Sequence, residues 1–348
     1  MTATPQLPDA TLAHLRAIAA ADDAEHAARY TRVALLGEGG MGAVYRCWDT
    51  VLEREVAMKV ALAPPGPGSA LLAERLRAEA RVLARLEHAG IVPVHDAGRL
   101  PDGRVFYVMK CVRGRTLSDV LRETLPLARR LDVLERVTEA VAFAHEQGVV
   151  HRDLKPANIM VGDFGEVLVA DWGVAKVLGS TPPPAVASEM PPSRSDNDGL
   201  TGAGMVLGTP GFMAPEQASG KSADVGPTAD VYALGALMVA LLGGTAPSAT
   251  TSAEALLSAA RDIPPPLRSV ARRCLAPEVS ARYPTAGALL DDLRRYRSGE
   301  RVAAHREHLL ARLLRVLRPW RTPILLVAAY LVMRMVVAWI GTGRSAGP

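Results

Sequence analysis

The stretch His151-Arg152-Asp153-Leu154-Lys155-Pro156-Ala157-Asn158 is the strongest chemical signal in the chain. The Asp153 carboxylate can accept a proton from an attacking hydroxyl. Lys155, two residues on, can stabilise charge on a phosphoryl group in transit, and the Asn158 amide can coordinate Mg²⁺. Asp171-Trp172-Gly173 follows the strand-like run Val167–Ala170, which places a carboxylate at a strand end, suited to a bridging metal. Alone, Asp-x-Gly reads only as a turn.

Upstream, Gly37-Glu-Gly39-Gly-Met-Gly42-Ala-Val44 has the spacing G-x-G-x-x-G-x-V. A dinucleotide-binding turn shares that glycine spacing but opens a helix. Here the glycines lie between two strand-like runs, as in a hairpin flap, where backbone N–H groups can approach phosphate oxygens with no Cβ in the way. A hairpin without ligand is the plainer reading of this motif taken alone. Val56-Ala57-Met58-Lys59 comes next. A lysine in an apolar strand must snorkel out or find an anion, and Glu79 lies on a helix twenty residues later. A Lys59–Glu79 pair would hold the lysine against the α- and β-phosphates of a nucleotide; otherwise both are ordinary surface charges.

The elements that must position these residues change character along the chain. Residues 1–29 are Ala-rich, with Leu12, Leu15 and Ile18 at helical spacing, and read as one loosely attached helix. Short β-type runs follow at Tyr30–Leu36, Ala43–Trp48 and Glu55–Ala61. After the Pro64–Gly68 linker come a helix over Leu71–Leu86 and two more strands, near Val92–Gly98 and Val105–Lys110. Beyond Gly114 the pattern is mostly helical, clearest over Leu127–Gln147. The fold class is α+β, a small β-rich lobe with one helix before a larger α-rich lobe, and a cleft between them. Gly179–Gly199 holds five prolines and reads as a flexible loop.

Composition narrows the class. Hydrophobic residues make up 49% and charged residues 22%, the balance of a folded globular chain. Cys47, Cys111 and Cys274 stand far apart, against a zinc ribbon or disulfide framework. The net charge of +4 is local: residues 294–321 hold nine arginines and two glutamates. This argues against nucleic-acid binding by the main domain. No signal-peptide pattern opens the chain, so secretion is not expected.

In this order the motifs resemble a eukaryotic-type protein kinase, of the kind found in bacteria as membrane-attached serine/threonine kinases. The resemblance runs from about Tyr30 to Tyr296. It includes Gly208-Thr209-Pro210-Gly211-Phe212-Met213-Ala214-Pro215-Glu216, similar to the end of an activation segment, and Asp230-Val231-Tyr232-Ala233-Leu234-Gly235, similar to the central helix of the large lobe. The resemblance implies the bilobal kinase fold over 30–297, with lobes of about 30–112 and 113–297 and an insert at 179–200. It also implies ATP with Mg²⁺ (or Mn²⁺) and protein substrates. Catalytic roles fall to Asp153, Lys155, Asn158, Lys59 and Glu79, and metal ligation to Asn158 and Asp171. ATP contacts fall to Leu36, Gly37, Gly39, Gly42, Val44, Ala57, Met109, Lys110, Val112 and Met160. Thr209 would seat the acceptor residue, and Glu216 would pair with Arg282. Arg152 beside Asp153 implies control by phosphate on the activation segment, with Thr201 the first candidate; transient homodimers would then phosphorylate in trans. Trp172 and the Lys110-Cys111 pair depart from the commoner Phe and Glu-Tyr, and both changes are compatible with activity. The Gly243–Arg261 region is shorter than in relatives, so substrate preference does not carry over.

The tail is a separate matter. Ile324–Ile340 is mostly apolar and about 25 Å long as a helix, against a hydrocarbon core of about 30 Å. Arg334 costs about 2.5–3.5 kcal/mol at a span's centre, and the Ile, Leu and Val residues return roughly 4. A single span at 324–340 is expected, with residues 341–348 beyond it as a short tail and no sensor domain. The basic segment 298–323 before it would lie on anionic lipid and hold the kinase on the cytoplasmic face of the cell membrane. Two rivals remain: a catalytically silent pseudokinase scaffold, and a kinase-like enzyme acting on a small molecule. The first would lack at least one of Lys59, Glu79, Asp153, Asn158 and Asp171; the second would lack the Ala214-Pro215-Glu216 platform.

Overall fold

The computed structural model describes residues 26, 28–39, 42–62, 70–172, 176–177, 211–219, 225–244, 247, 253–259, 263–306 and 321–343. Thr201, Thr209, Gly173 and the insert at 179–200 lie outside them, as do residues 1–25.

The first lobe is a five-stranded antiparallel sheet. Its strands are β1 (Tyr30–Gly39), β2 (Gly42–Asp49), β3 (Arg54–Ala61), β4 (Val94–Arg99) and β5 (Val105–Lys110), in spatial order β1-β2-β3-β5-β4. Side chains of a strand alternate between faces, and β3 shows what the alternation achieves. Val56, Met58 and Val60 pack with Cys47, Phe106 and Val108 in an outer cluster. Ala57, Lys59 and Ala61 point the other way, toward helix α1 (Ala70–Arg85) and the cleft, where Ala61 joins Val105, Tyr107 and Leu76 in the main core. Register then fixes the neighbours: Val44 stands opposite Lys59, Ala57 opposite Met109 and Lys59 opposite Tyr107.

The second lobe begins with a three-stranded sheet of β6 (Gly114–Thr116), β8 (Ile159–Gly162) and β9 (Val167–Val169), in the order β6-β8-β9. A two-residue strand β7 (Val149–Val150) pairs with β10 (Lys176–Val177). The helices are α2 (Leu117–Val120), α3 (Leu127–Glu146), α4 (Pro215–Ala218), α5 (Pro227–Gly243), α6 (Ala253–Ala259), α7 (Pro265–Cys274) and α8 (Ala286–Arg297). Helix α5 is buried from Ala229 to Leu242 without interruption, as expected of a helix apolar all round. It packs on α3, α7 and α8. A backbone bridge ties the lobes behind the cleft: the Val92 N–H donates to the Val169 carbonyl at 3.2 Å, and the Val169 N–H to the Gly90 carbonyl at 2.8 Å.

At both borders of the described domain, packing extends farther than the sequence pattern suggests. Arg29 donates twice to the buried Asp49 carboxylate, at 2.7 Å each. The stretch after α8, expected to begin a basic juxtamembrane segment, docks on the helical lobe: Val302 is buried, and the Ala303 and Ala304 N–H groups donate to Asp292 at 2.7 and 3.0 Å. Helix α9 (Arg321–Gly343) contains the apolar run expected at 324–340. Its side chains are described from Leu325 to Val336, and all are exposed. Among the described residues no helix is long and apolar enough to cross a membrane.

The glycines of the β1–β2 hairpin divide into two kinds. A Cβ on Gly42 would lie 2.5 Å from the Val60 carbonyl oxygen, whereas a Cβ on Gly37 or Gly39 would meet nothing within 4 Å. Gly42→Ala should therefore cost about 1–3 kcal/mol through overpacking and lower Tm in a thermal melt, while Gly39→Ala should leave Tm unchanged.

Candidate active site

Between β7 and β8 the chain forms an irregular loop and one turn of 3₁₀ helix at Pro156–Asn158. The loop is held by a carboxylate that reaches it from another element. Asp230, in the first turn of α5 and buried, accepts the backbone N–H groups of His151 and Arg152, both at 2.8 Å, and lies 2.8 Å from His145 Nε2. Arg152 has φ 69°, a left-handed conformation that costs a non-glycine residue about 1–3 kcal/mol unless its surroundings enforce it. Both ends of the Arg152 peptide are gripped: its N–H by Asp230, its carbonyl by Gln217 Nε2 at 2.7 Å. Burial pulls the Asp230 carboxyl upward, but the His145 hydrogen bond and charge, with the backbone donors, leave it below the ordinary aspartate value.

Within that frame the three chemical groups converge. Lys155 Nζ donates to Asp153 Oδ2 at 2.8 Å, and the Asn158 side-chain amide donates to the Asp153 carbonyl at 2.8 Å and to its Oδ2 at 3.3 Å. His151 is fully buried, accepts the Asp153 N–H on Nδ1 at 3.3 Å and donates from Nε2 to the Ala170 carbonyl at 3.1 Å. These partners assign the Nε2–H tautomer. The Ala170 N–H returns to the Asn158 carbonyl at 2.8 Å, so Asp171 is anchored one residue from the loop. Trp172 is buried: its indole N–H reaches the Val169 carbonyl at 3.4 Å and its ring lies 4.6 Å from that of His151. The larger ring fits where the sequence places it.

The other half of the site comes from the first lobe. Lys59 Nζ donates to both Glu79 oxygens, at 2.7 and 2.9 Å, and to Asp171 Oδ1 at 2.9 Å. The Tyr107 hydroxyl donates to Glu79 Oε1 at 2.8 Å. Lys59 is 8% and Glu79 2% exposed. Burial alone would push the Lys59 ammonium toward neutrality, but Glu79 and Asp171 outweigh it and raise the lysine above its usual range. Glu79 accepts from both Lys59 and Tyr107, so its removal leaves the buried Tyr107 hydroxyl without this acceptor.

Of the expected nucleotide-pocket residues, Ala57 is buried, and Val44, Met109, Lys110, Val112 and Met160 are half-buried along the cleft strands and hinge; Leu36 is exposed. Glu216 pairs with Arg282 in a two-pronged contact, Nη1–Oε1 2.7 Å and Nη2–Oε2 2.8 Å. Arg282 is buried, donates also to the Ala276, Thr228 and Pro277 carbonyls, and stacks over Tyr232. Such a fork is the strong geometry for arginine and carboxylate. The sequence alone does not single out Tyr107 or Gln217, and it shows Asp230 only as part of a helix motif. Tyr107 is open to the alternation rule, two residues before Met109. Gln217 stands three residues after Ala214, whose N–H it accepts at 3.2 Å, in the pattern of a helix-start cap.

Two lobes that each bring half of a charged site to a shared cleft define the class of molecule, a bilobal kinase fold. The family model described as the protein kinase domain matches residues 30–309, and the chain belongs to that family. It is 36% identical over 288 residues to the serine/threonine-protein kinase PknA of Mycobacterium tuberculosis, covering 78% of this chain and 62% of that protein. It is 30% identical over 302 residues to the serine/threonine-protein kinase PknD of Protochlamydia amoebophila, covering 78% and 30%. With Myxococcus xanthus serine/threonine-protein kinase pkn3 it shares 36% over 250 residues, covering 69% and 42%. The chain thus spans less than two thirds of the length of each of these relatives.

Asp230→Ala strips the acceptor from two backbone donors and should cost about 3–5 kcal/mol, the usual penalty for breaking a buried charged contact. Asp230→Asn preserves the shape and should cost less. Because the folded carboxyl sits below 3.8, its ionised form stabilises fully above that pH, and the gain is lost as pH falls through the lower folded value. In denaturant titrations the stability gap between wild type and Asp230→Asn should therefore narrow below pH 3.8.

Proposed function

We propose that the chain is an ATP-dependent serine/threonine protein kinase that transfers the γ-phosphate to protein hydroxyls. The observation that carries this reading is the complete set of charged contacts across the cleft: the Lys59–Glu79 pair at 2.7 Å, with Asp171 on the same ammonium, above Asp153, Lys155 and Asn158. A silent scaffold would have no need to keep an expensive buried ion pair aimed at an open cleft.

In this reading each residue has one task. Glu79 fixes Lys59, whose ammonium grips the α- and β-phosphates. Around Gly37 and Gly39 no protein atom comes within 4 Å of where a Cβ would lie, which leaves that side of the flap open to phosphate oxygens. Asp153 receives the proton of the acceptor hydroxyl, and Lys155 faces the charge that develops on the phosphoryl oxygens. Asn158 and Asp171 offer an amide and a carboxylate oxygen, a donor set that suits Mg²⁺ bound partly through substrate phosphates. Bound Mg²⁺ supplies charge neutralisation at the phosphates. The Glu216–Arg282 fork and Gln217 brace a platform for a protein segment beside Asp153, which favours a protein acceptor over a small molecule. Phosphate on Thr201, clamped by Arg152, is the proposed activating step, and trans-phosphorylation in a transient homodimer is its proposed source.

The same proposal includes attachment to the inner face of the cell membrane. It is supported by the 23-residue helix α9, by the exposure of Leu325, Leu326, Val327, Leu331 and Val332, and by the arginines that precede them.

The full chain, incubated with labelled ATP and Mg²⁺, should phosphorylate itself and a generic basic protein. Asp153→Asn should lower kcat by about 10²–10⁴-fold, and Lys59→Met should abolish labelling. Labelling that survives both changes would refute the assignment. In flotation with anionic liposomes the full chain should rise with the vesicles, and a chain lacking residues 321–343 should stay at the bottom; equal behaviour would remove the membrane proposal.

A further inference from the structure

The platform around Glu216 carries a side chain whose two polar ends face two different stretches of backbone. Gln217, half-buried in the four-residue helix α4, accepts the Ala214 N–H on Oε1 at 3.2 Å and donates from Nε2 to the Arg152 carbonyl at 2.7 Å. A backbone N–H can only donate and a carbonyl can only accept, so these partners fix which end of the amide is which. They also require an amide. A carboxylate has no donor for Arg152, and an ammonium has no acceptor for Ala214.

The bond to Arg152 falls on the peptide unit that carries Asp153. The Arg152 carbonyl and the Asp153 N–H belong to one planar group. Gln217 holds its oxygen at 2.7 Å, and His151 Nδ1 accepts its N–H at 3.3 Å, the longer of the two contacts. The neighbouring units are fixed elsewhere, by Asp230 on the Arg152 N–H and by Asn158 on the Asp153 carbonyl. Arg152 is left-handed, at φ 69°, and such backbone persists only under restraint. Without Gln217 the central unit keeps one long hydrogen bond, and its rotation swings the Asp153 carboxylate.

The rest of the platform is fixed to the helical lobe. Glu216 forks onto the buried Arg282. Gly211 lies so close to the loop after α5 that a Cβ there would stand 2.3 Å from the Pro247 carbonyl oxygen. Residues 211–217 therefore form a bracket between the helical core and the loop that carries Asp153.

We propose that Gln217 is a positioning residue for phosphoryl transfer: it sets the orientation of Asp153 from the surface on which the protein acceptor lies. The inference rests on the kinase reading above. It adds that the acceptor platform and the proton-accepting carboxylate are joined through one side-chain amide, so their spacing is set before an acceptor arrives. Transfer depends on that spacing, because a displacement of about 1 Å can cost about 10²-fold in rate.

The test is Gln217→Glu in the full chain, beside Gln217→Met. The first keeps the acceptor for Ala214 and loses the donor for Arg152; the second loses both at similar length. With a protein acceptor and Mg²⁺-ATP in mildly alkaline buffer, Gln217→Glu should lower kcat about 10–100-fold, with Tm and the KM for ATP close to wild type. In mildly acidic buffer the introduced carboxyl gains a proton and can donate to the Arg152 carbonyl, so its kcat relative to wild type should rise as pH falls. Taking the ratio removes the titration of Asp153, His151 and Glu216, which both proteins share. Gln217→Met should stay low throughout. Hydrogen exchange across residues 149–158 should quicken about tenfold in both variants, as local opening becomes easier.

A wild-type kcat in Gln217→Glu would overturn the proposal, and so would a loss that is flat across pH or that follows a fall in Tm. A wild type that transfers no phosphate to any protein defeats the kinase reading and this inference with it. An active wild type beside an indifferent Gln217→Glu defeats this inference alone.

Discussion

One buried ammonium organises the molecule. Lys59 sits among two carboxylates from different elements, Glu79 on α1 and Asp171 after β9, and a charge in that position is tolerable only while both acceptors stay. The contact therefore states a condition on the whole fold. Strand β3, helix α1 and the end of β9 must hold their relative positions within hydrogen-bonding distance, although Lys59 and Asp171 are 112 residues apart in sequence. The sheet register, the backbone bridge from Gly90 and Val92 to Val169 and the burial of Trp172 all serve that condition.

The second lobe meets the same demand differently. Its loop has little regular structure, and two non-glycine residues, Arg152 and Asp171, adopt left-handed backbone. Such geometry persists only under restraint, and the restraint is polar: Asp230 from α5, Gln217 from α4 and the buried His151. The apolar α5 core makes that restraint firm, because an acceptor in the first turn of a fully packed helix has nowhere to go. Rigidity is thus made in the core and delivered to the loop by a few hydrogen bonds.

How far this is legible in the sequence follows from the range of the interactions. Strands and helices with clear alternation or 3.6-residue period are readable to within a few residues: Val105–Lys110 as β5, and the Leu127 helix ending at Glu146 rather than Gln147. The reacting residues are readable because their spacing within one short loop is itself the signal. Partners supplied from a distance are not. Nothing local to Tyr107 says that it will donate to Glu79, and nothing near Asp292 says that residues 303 and 304 will return to it. The basic, polar composition after Arg294 hides that return, because charge density reads as solvated surface whether or not the backbone beneath it is docked.

That return has a mechanical meaning. Asp292 is buried in α8, where it also accepts the Tyr283 hydroxyl at 2.7 Å, and α8 packs on α3, α5 and α7. A load arriving along the chain from beyond Arg306 meets Asp292, Val302 and the His305–Ser269 contact before anything else. It is then spread through the helical core, away from the sheet of the first lobe. The described domain thus has in effect a strain relief near Arg306, because a pull on that end is carried first by helices α7 and α8.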